Sequence, residues 1–393
     1  MSSIYLDWAA TAPPDSELQR NALSLSLVSY GNPSSAHSFG KEARALLEDA
    51  RASILQATAI SKGNFLFTGS GTEADQIPLL SLLRKARRAG HGGKPIHLVI
   101  SSIEHAAIDS QVRQLEKMGF EVSWIDADAR GFIDPQRVAD RVRYDTALVA
   151  VMAVNNETGS IQDISAIGRL VREAAVRAGA RDLWLHVDAV QALGKLPMRE
   201  LTLQADSVAV SAHKIQGPKG IGGLWLGKPL EALALGGGQE QGIRAGTENV
   251  FGAIAFALAA QKAYSLIESR MELARILETR LIEGIARIPG ALLVPHRTAK
   301  DSGYVPHIIS VAFPGVGGET MVRALSDRGI AVSTGSACSS NIVRKGRRIL
   351  KAMEIPEDIA LCALRVSTGS NSTLSDIDTF LEHAEDLYRK LKT

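Results

Sequence analysis

Lys214 sits in Ser211-Ala212-His213-Lys214-Ile215-Gln216-Gly217-Pro218-Lys219-Gly220, between an apolar run at 207–210 and another at 221–226. That spacing predicts a lysine at the mouth of a strand, partly desolvated. Desolvation lowers an amine's pKa and makes it a nucleophile toward carbonyls, which is Schiff-base chemistry. Ser211 and His213 offer an anion hydrogen-bond partners, while Gly217, Gly220, Gly222 and Gly223 let backbone approach a ligand closely.

Other strand-like runs end on residues that suit the same ligand. The run at 65–67 leads into Thr68-Gly69-Ser70-Gly71-Thr72-Glu73 and a helical pattern, so backbone N–H groups, a helix dipole and the hydroxyls of Thr72 and Ser211 face a phosphate. The run at 96–100 is followed by His105, that at 148–151 by Asn156, and that at 183–187 by Asp188 and Gln191. In open α/β sheets ligands bind beyond the carboxyl ends of the strands, so these side chains are expected to converge with Lys214. Asp188 can pair with a protonated ring nitrogen, and His105 can stack on a ring and pass protons. Gln191 and Asn156 can reach a ring hydroxyl, and Asn156 a substrate carboxylate as well. Jointly the set specifies pyridoxal 5'-phosphate.

The elements that must position these residues follow from the pattern of the chain. Between about 40 and 250, strand-like runs alternate with helix-length amphipathic segments, the signature of a mostly parallel sheet covered on both faces. After Gly246 the texture changes. A long helical stretch at about 248–288 precedes strands at 307–313, 330–334 and 363–367 and a helix at 318–328. We expect an α/β fold with a large cofactor-binding domain at 15–255 and a smaller α+β domain from 1–14 and 256–393. The apolar segment at 250–260 is too short to span a bilayer and reads as a buried helix.

Composition narrows the function. In 393 residues, 45% hydrophobic and 22% charged, 44 basic against 42 acidic side chains leave a net charge of +2, with no footprint for nucleic acid or a membrane surface. Two cysteines, Cys338 and Cys362, are too few for a disulfide framework, and no metal-ligand spacing accompanies them. The N-terminus carries no basic and apolar leader pattern, so a cytoplasmic protein is expected. A dinucleotide site is disfavoured because no glycine fingerprint follows an early strand with an acid about twenty residues later.

Nearly the whole chain, in order, resembles the pyridoxal-phosphate cysteine desulfurases of fold type I, the branch related to class V aminotransferases that serves iron-sulfur cluster assembly. The resemblance rests on Tyr5-Leu6-Asp7, Gly31-Asn32-Pro33-Ser34-Ser35-Ala36-His37, Glu104-His105, Asn155-Asn156-Glu157-Thr158-Gly159, His186-Val187-Asp188-Ala189-Val190-Gln191, residues 211–220, Gly236-Gly237-Gly238-Gln239-Glu240, Arg244-Ala245-Gly246-Thr247 and Ser336-Ala337-Cys338-Ser339-Ser340. It implies a Schiff-base role for Lys214, pairing of Asp188 with the pyridine nitrogen, and Gln191 and Asn156 beside the ring hydroxyl. Phosphate ligation is implied for Gly71, Thr72, Ser211 and His213, with Thr247 contributed by the second subunit of a homodimer. Arg365 aligns with the arginine that grips the substrate carboxylate through a planar fork, and Asn156 and Asn32 are assigned to the substrate with it.

Cys338 decides the reaction within this resemblance. A free thiol with a pKa of about 8.5 is roughly 3% thiolate at pH 7, so modest local help makes it an effective nucleophile. Cys362, inside the apolar stretch 359–364, suits a structural role. The expected reaction converts L-cysteine to L-alanine and leaves a persulfide on Cys338, with His105 as proton carrier and an iron-sulfur scaffold or thiolation protein as acceptor. The chain departs from the family pattern at Asp75-Gln76, at Trp8, and at Lys345-Gly346-Arg347-Arg348, which replaces a proline-containing pattern and leaves the acceptor open. A selenocysteine lyase or a class V aminotransferase remains as an alternative. A non-catalytic partner subunit is disfavoured by the joint presence of Lys214, Asp188, Arg365 and Cys338.

Overall fold

The N-terminal segment opens with a two-residue strand, β1 (Ile4–Tyr5), whose partner lies more than 300 residues away in the chain. The computed structural model describes residues 3–88, 96–335 and 347–392. Short β-branched and apolar runs then supply β2 (Asn64–Thr68), β3 (His97–Ser101), β4 (Glu121–Ile125), β5 (Thr146–Ala150), β6 (Trp184–Asp188), β7 (Ser207–Ser211) and β8 (Gly222–Leu226). They form one sheet in the order β2-β8-β7-β6-β5-β3-β4. All neighbours are parallel except β8, which runs antiparallel to both β7 and β2. This is the expected α/β architecture with its mostly parallel sheet.

Successive residues of a strand point to opposite faces, and each face has its own core. Phe65, Phe67, Val99, Val149 and Leu185 join helices Ser38–Ala57, Ile164–Ala178 and Val250–Ser265 on one side. Leu98, Ile100 and Leu148 pack with Leu79, Ile108 and Val112 of helices Gly71–Arg88 and Ala106–Lys117 on the other. Covered on both faces, β3, β5, β7 and β8 are buried at every residue, while the edge strand β4 is half-buried. The edge strand carries the mixed polar sequence Glu121-Val122-Ser123-Trp124-Ile125 for the same reason.

The helical stretch expected at 248–288 is two helices, Val250–Ser265 and Ile267–Ile285, bent by 68° at Leu266. They bury different faces in different places. Val250–Ser265 is apolar nearly all round and enters the large core, whereas Leu277, Leu281 and Ile285 of the second helix pack on a separate core. No single described helix is long and apolar enough to cross a membrane.

That second core surrounds β9 (Leu292–Leu293), β10 (Ile308–Ala312) and β12 (Ala363–Ser367), an antiparallel sheet in the order β12-β10-β9. The strand expected at 330–334 is shorter, β11 (Ile330–Ala331), paired in parallel with β1. Only an isolated bridge between Ser333 and Arg365 continues it. Leu6, one residue past β1, is fully buried beside Ile309, Val366 and Phe380, which fixes the N-terminal segment to this core. The next five residues run across to the carboxyl ends of β6 and β7.

Candidate active site

The turn after β7 is forced tight by its composition. Ala212–Lys214 makes one 3-10 turn, and a Cβ on Gly217 would lie 2.9 Å from both the Cβ and the carbonyl oxygen of Ala212. Lys214 Nζ thereby reaches the N-terminal segment, donating to Ala9 O at 2.7 Å and Ala10 O at 2.8 Å. Gln191 Nε2 donates to the same Ala9 carbonyl at 2.9 Å, and Gln191 Oε1 accepts from Lys195 Nζ at 3.0 Å. A buried corner of β6, the β7 turn and residues 7–11 is thus held together by one main-chain carbonyl.

The loop after β2 closes against that corner. A Cβ on Gly71 would lie 2.8 Å from Val190 Cγ2 and 3.3 Å from Ser211 Cβ, so only glycine lets the start of helix Gly71–Arg88 come this close. Ser211 is buried at the end of β7, and Thr72 is exposed on the first turn of the helix. His213 Nδ1 lies 3.2 Å from Thr11 Oγ1, and burial, with the Lys214, Lys219 and Lys195 charges behind it, pushes its pKa down to about 4.

Asp188 and His105 share this site's field. Asp188 ends β6, buried, with Oδ1 accepting from Val190 N at 2.9 Å. Burial raises its pKa, opposed by His105, the Val190 hydrogen bond and Lys214. His105 caps helix Ala106–Lys117, its Nδ1 accepting from Ala107 N at 3.2 Å, which leaves Nε2 to carry the proton of the neutral ring. Burial lowers its pKa, with Asp188 opposing and Lys214 and Arg348 adding to the shift. His105 is therefore neutral at pH 7 and able to take up a proton.

Arg365 reaches the site from the small sheet. Its Nη2 donates to Asp7 Oδ1 and its Nη1 to Asn156 O, each at 2.7 Å, and the residue is 4% exposed. Arg365 Nε and Asn156 Oδ1 are buried without a hydrogen-bond partner among the described residues. Such orphans are rare in a folded chain and point to a missing partner. The arrangement fits pyridoxal phosphate. Asn156 Oδ1 suits its ring hydroxyl, buried Asp188 its ring nitrogen, the Gly71 helix start its phosphate and Lys214 its aldehyde carbon.

Two expected residues stand apart within the single chain. Asn32 is exposed, with Oδ1 accepting from Ser34 N, and Thr247 is exposed as well. Cys338 lies outside the described residues. The described positions on either side of its segment both touch the site. A Cβ on Gly335 would lie 3.0 Å from Glu157 Cγ, next to Asn156. Arg348 donates to the carbonyls of Ser102 and Glu104, immediately before His105, and pairs with Asp109 at 3.4 Å. Arg347 donates to the carbonyl of Thr334 and, at 2.8 Å, to that of Ala363. Cys362 is buried and free.

Sequence reasoning gave no role to Asp7, Lys195 or Arg348. Asp7 stands in a quoted motif and Arg348 in a segment noted only as a departure. For both, the signal was present, but their partners are more than 200 residues away.

Comparison with known proteins places these features in a family. The family model described as Aminotransferase class-V matches residues 4–380. The chain is 34% identical over 395 residues to the cysteine desulfurase IscS of Dictyoglomus turgidum, covering 99% of this chain and 95% of that one. It is 34% identical over 392 residues to the cysteine desulfurase IscS of Methanosarcina thermophila, covering 99% and 93%. Among solved structures, a NifS-like protein superimposes with a TM-score of 0.88 at 31% identity, covering 99% of this chain and all of that one. The chain belongs to the class V aminotransferase family.

Proposed function

We infer that the protein is a pyridoxal-phosphate-dependent cysteine desulfurase that converts L-cysteine to L-alanine and supplies sulfur for iron-sulfur clusters or thiolation. The observation that carries this reading is end-to-end similarity to proteins named cysteine desulfurase, in a chain that keeps Lys214, Asp188, His105, Arg365 and Cys338.

Pyridoxal phosphate, when bound, supplies an electron sink for the carbanion formed at the substrate's α-carbon. Lys214 holds the cofactor and moves the α-proton, and Asp188 keeps the ring nitrogen protonated. Gly71, Thr72, Ser211 and His213 hold the phosphate, while Gln191 and Asn156 flank the ring hydroxyl. Arg365 orients the substrate carboxylate, aided by Asn156 and Asn32. Neutral His105 takes the substrate's thiol proton. Cys338 thiolate attacks the substrate sulfur; an S–S bond forms as the C–S bond breaks, and the carbon skeleton takes up a proton and leaves as L-alanine. The persulfide on Cys338 then passes its outer sulfur to an acceptor protein.

The working unit is a homodimer in which Thr247 completes the phosphate site of the partner. Leu27, Val28 and Tyr30 are each at least 66% exposed, and Tyr30 stacks on exposed Phe39 with ring centroids 5.5 Å apart, an apolar surface suited to a second copy. The reducing cytoplasm suits a reaction that needs a free thiol. An aminotransferase reading predicts that L-cysteine alone converts the cofactor stoichiometrically to its pyridoxamine form. The desulfurase reading predicts no such accumulation, and a cofactor assay after one turnover decides between them.

A further inference from the structure

The turn after β2 carries a negative charge of its own. Glu73 stands in the first turn of helix Gly71–Arg88, its N–H donating to Ser70 Oγ at 3.1 Å and its Oε2 accepting from Gly69 N. The carboxylate is thus folded back over the glycine turn, at the end of a helix that attracts anions. Arg244 Nε donates to the other oxygen, Glu73 Oε1, at 3.2 Å, and among the described residues Arg244 is the only cation paired with Glu73. Both groups lean on one residue of the turn: a Cβ on Gly69 would lie 3.1 Å from Glu73 Oε2 and 3.6 Å from Arg244 Nη2.

A second ion pair brings Arg244 to this place. β2 is an edge strand, with β8 on one side and no described strand on the other. Glu240, 5% exposed, accepts from Phe67 N on that open edge at 2.9 Å, and Arg51 Nη1 donates to the carbonyl of Phe65. The two side chains also bind each other, Arg51 Nη1 to Glu240 Oε2 at 2.8 Å and Arg51 Nη2 to Glu240 Oε1 at 3.0 Å. The pair takes the place of a next strand and fastens residue 240 beside the strand that enters the turn. Glu240 has its counter-charge in Arg51, and Arg244, four residues on, meets the charge of Glu73.

We propose that Arg244 is a positioning residue for the cofactor's phosphate: it offsets the Glu73 carboxylate, so that the turn keeps its shape and still accepts a second anion. The inference rests on the reading that this turn and the helix start at Gly71 and Thr72 hold the phosphate of pyridoxal phosphate. Glu73 shapes the turn by taking the Gly69 N–H, and its charge would repel a phosphate held by the N–H groups that follow. A guanidinium on Oε1 removes that conflict without breaking the Gly69 hydrogen bond. A side-chain amide at 73 could accept from Gly69 N with no charge to offset. The pair is part-exposed, 27% for the Arg244 side chain and 38% for that of Glu73, so solvent screens the effect and keeps it modest.

The test titrates the full chain, stripped of cofactor, at low ionic strength with pyridoxal phosphate and with pyridoxal, which has the ring and aldehyde and no phosphate. The wild type should bind the phosphate form more tightly. Arg244→Gln should raise Kd for pyridoxal phosphate about threefold to fivefold and leave Kd for pyridoxal unchanged. Glu73→Gln should bind pyridoxal phosphate at least as tightly as the wild type, and Glu73→Gln combined with Arg244→Gln should return to within about twofold of it. Equal weakening of both ligands in Arg244→Gln would mean a merely structural role. A double variant as weak as Arg244→Gln would mean that Arg244 does not act through Glu73, and either result overturns the proposal. A wild type that binds both ligands equally would instead remove the phosphate from this turn, and the inference with it. If Arg244→Gln does not fold, weaker binding of pyridoxal phosphate by Glu73→Gln alone overturns the proposal.

Discussion

Arg365 donates one arm of its guanidinium to Asp7 and the other to the main-chain carbonyl of Asn156, both at 2.7 Å. The arginine is thus positioned by two parts of the fold before any substrate arrives, one of them the N-terminal segment that also receives Lys214. Arg365→Lys keeps the charge and loses the fork. Losing a charge-assisted hydrogen bond worth about 1.5–3 kcal/mol should lower kcat/KM for L-cysteine about tenfold to a hundredfold, with most of the effect in KM. Unchanged KM in steady-state kinetics would remove Arg365 from substrate binding.

Asn156 gives a separable prediction. Its Oδ1 is buried with no hydrogen-bond partner among the described residues, so Asn156→Ala removes no hydrogen bond that this oxygen makes within the described chain. The apo-protein should keep its urea midpoint or gain slightly, while cofactor dissociates about tenfold faster, followed by loss of visible absorbance on dilution. A large loss of apo stability would show that Asn156 acts structurally.

Arg348 should act through His105. Its guanidinium bonds the carbonyls of Ser102 and Glu104, and its charge helps hold the His105 pKa down. Arg348→Ala should cost about 1–3 kcal/mol in denaturant unfolding. Removing a positive charge lets His105 protonate more easily, so the acid limb of the kcat pH profile should move to higher pH. A profile that keeps its acid limb would sever this link.

Glu104 makes stability depend on pH. Burial pushes its pKa up to about 8, with Asp188 acting in the same direction and hydrogen bonds from Ser101 and Met152 and the Arg348 charge opposing. Between the unfolded value of 4.5 and about 8 the folded chain holds a proton that the unfolded chain has released. Its contribution is therefore full below pH 4.5 and is lost as pH rises through 8. Glu104→Gln should flatten the fall in urea midpoint between pH 5 and 8. An unchanged slope would assign that fall to other groups.

The apolar surface around Val28 should place two copies together. Sedimentation should give twice the chain mass, and Val28→Glu should shift it toward the monomer and weaken cofactor retention, since Thr247 would no longer reach the second site. A wild-type monomer that retains its cofactor would contradict this arrangement.

Much of the site was readable because its residues close strands. Asp188 ends β6, Lys214 follows β7 by three residues, and alternation of apolar runs with amphipathic segments is enough to put them at one edge of one sheet. Contacts between distant segments were not readable in that way. Nothing local to Asp7 announces Arg365, and nothing in Lys345-Gly346-Arg347-Arg348 announces the carbonyls before His105. The bend at Leu266 was missed for a related reason: one continuous helical pattern serves two cores, and only tertiary packing separates them. Asn32 and Thr247 are exposed in the single chain, away from the residues that close the strands, and of the two only Thr247 is proposed to act in the partner's site.

The division of labour between Lys214 and Cys338 is tested most directly by assaying alanine and transferred sulfur together, in the wild type and in Cys338→Ser, with L-cysteine and a reductant. The wild type should release alanine and sulfide in equal amounts. The variant should keep the cofactor's visible absorbance and lose both products. Sulfide and alanine from Cys338→Ser at the wild-type rate would contradict the proposed reaction.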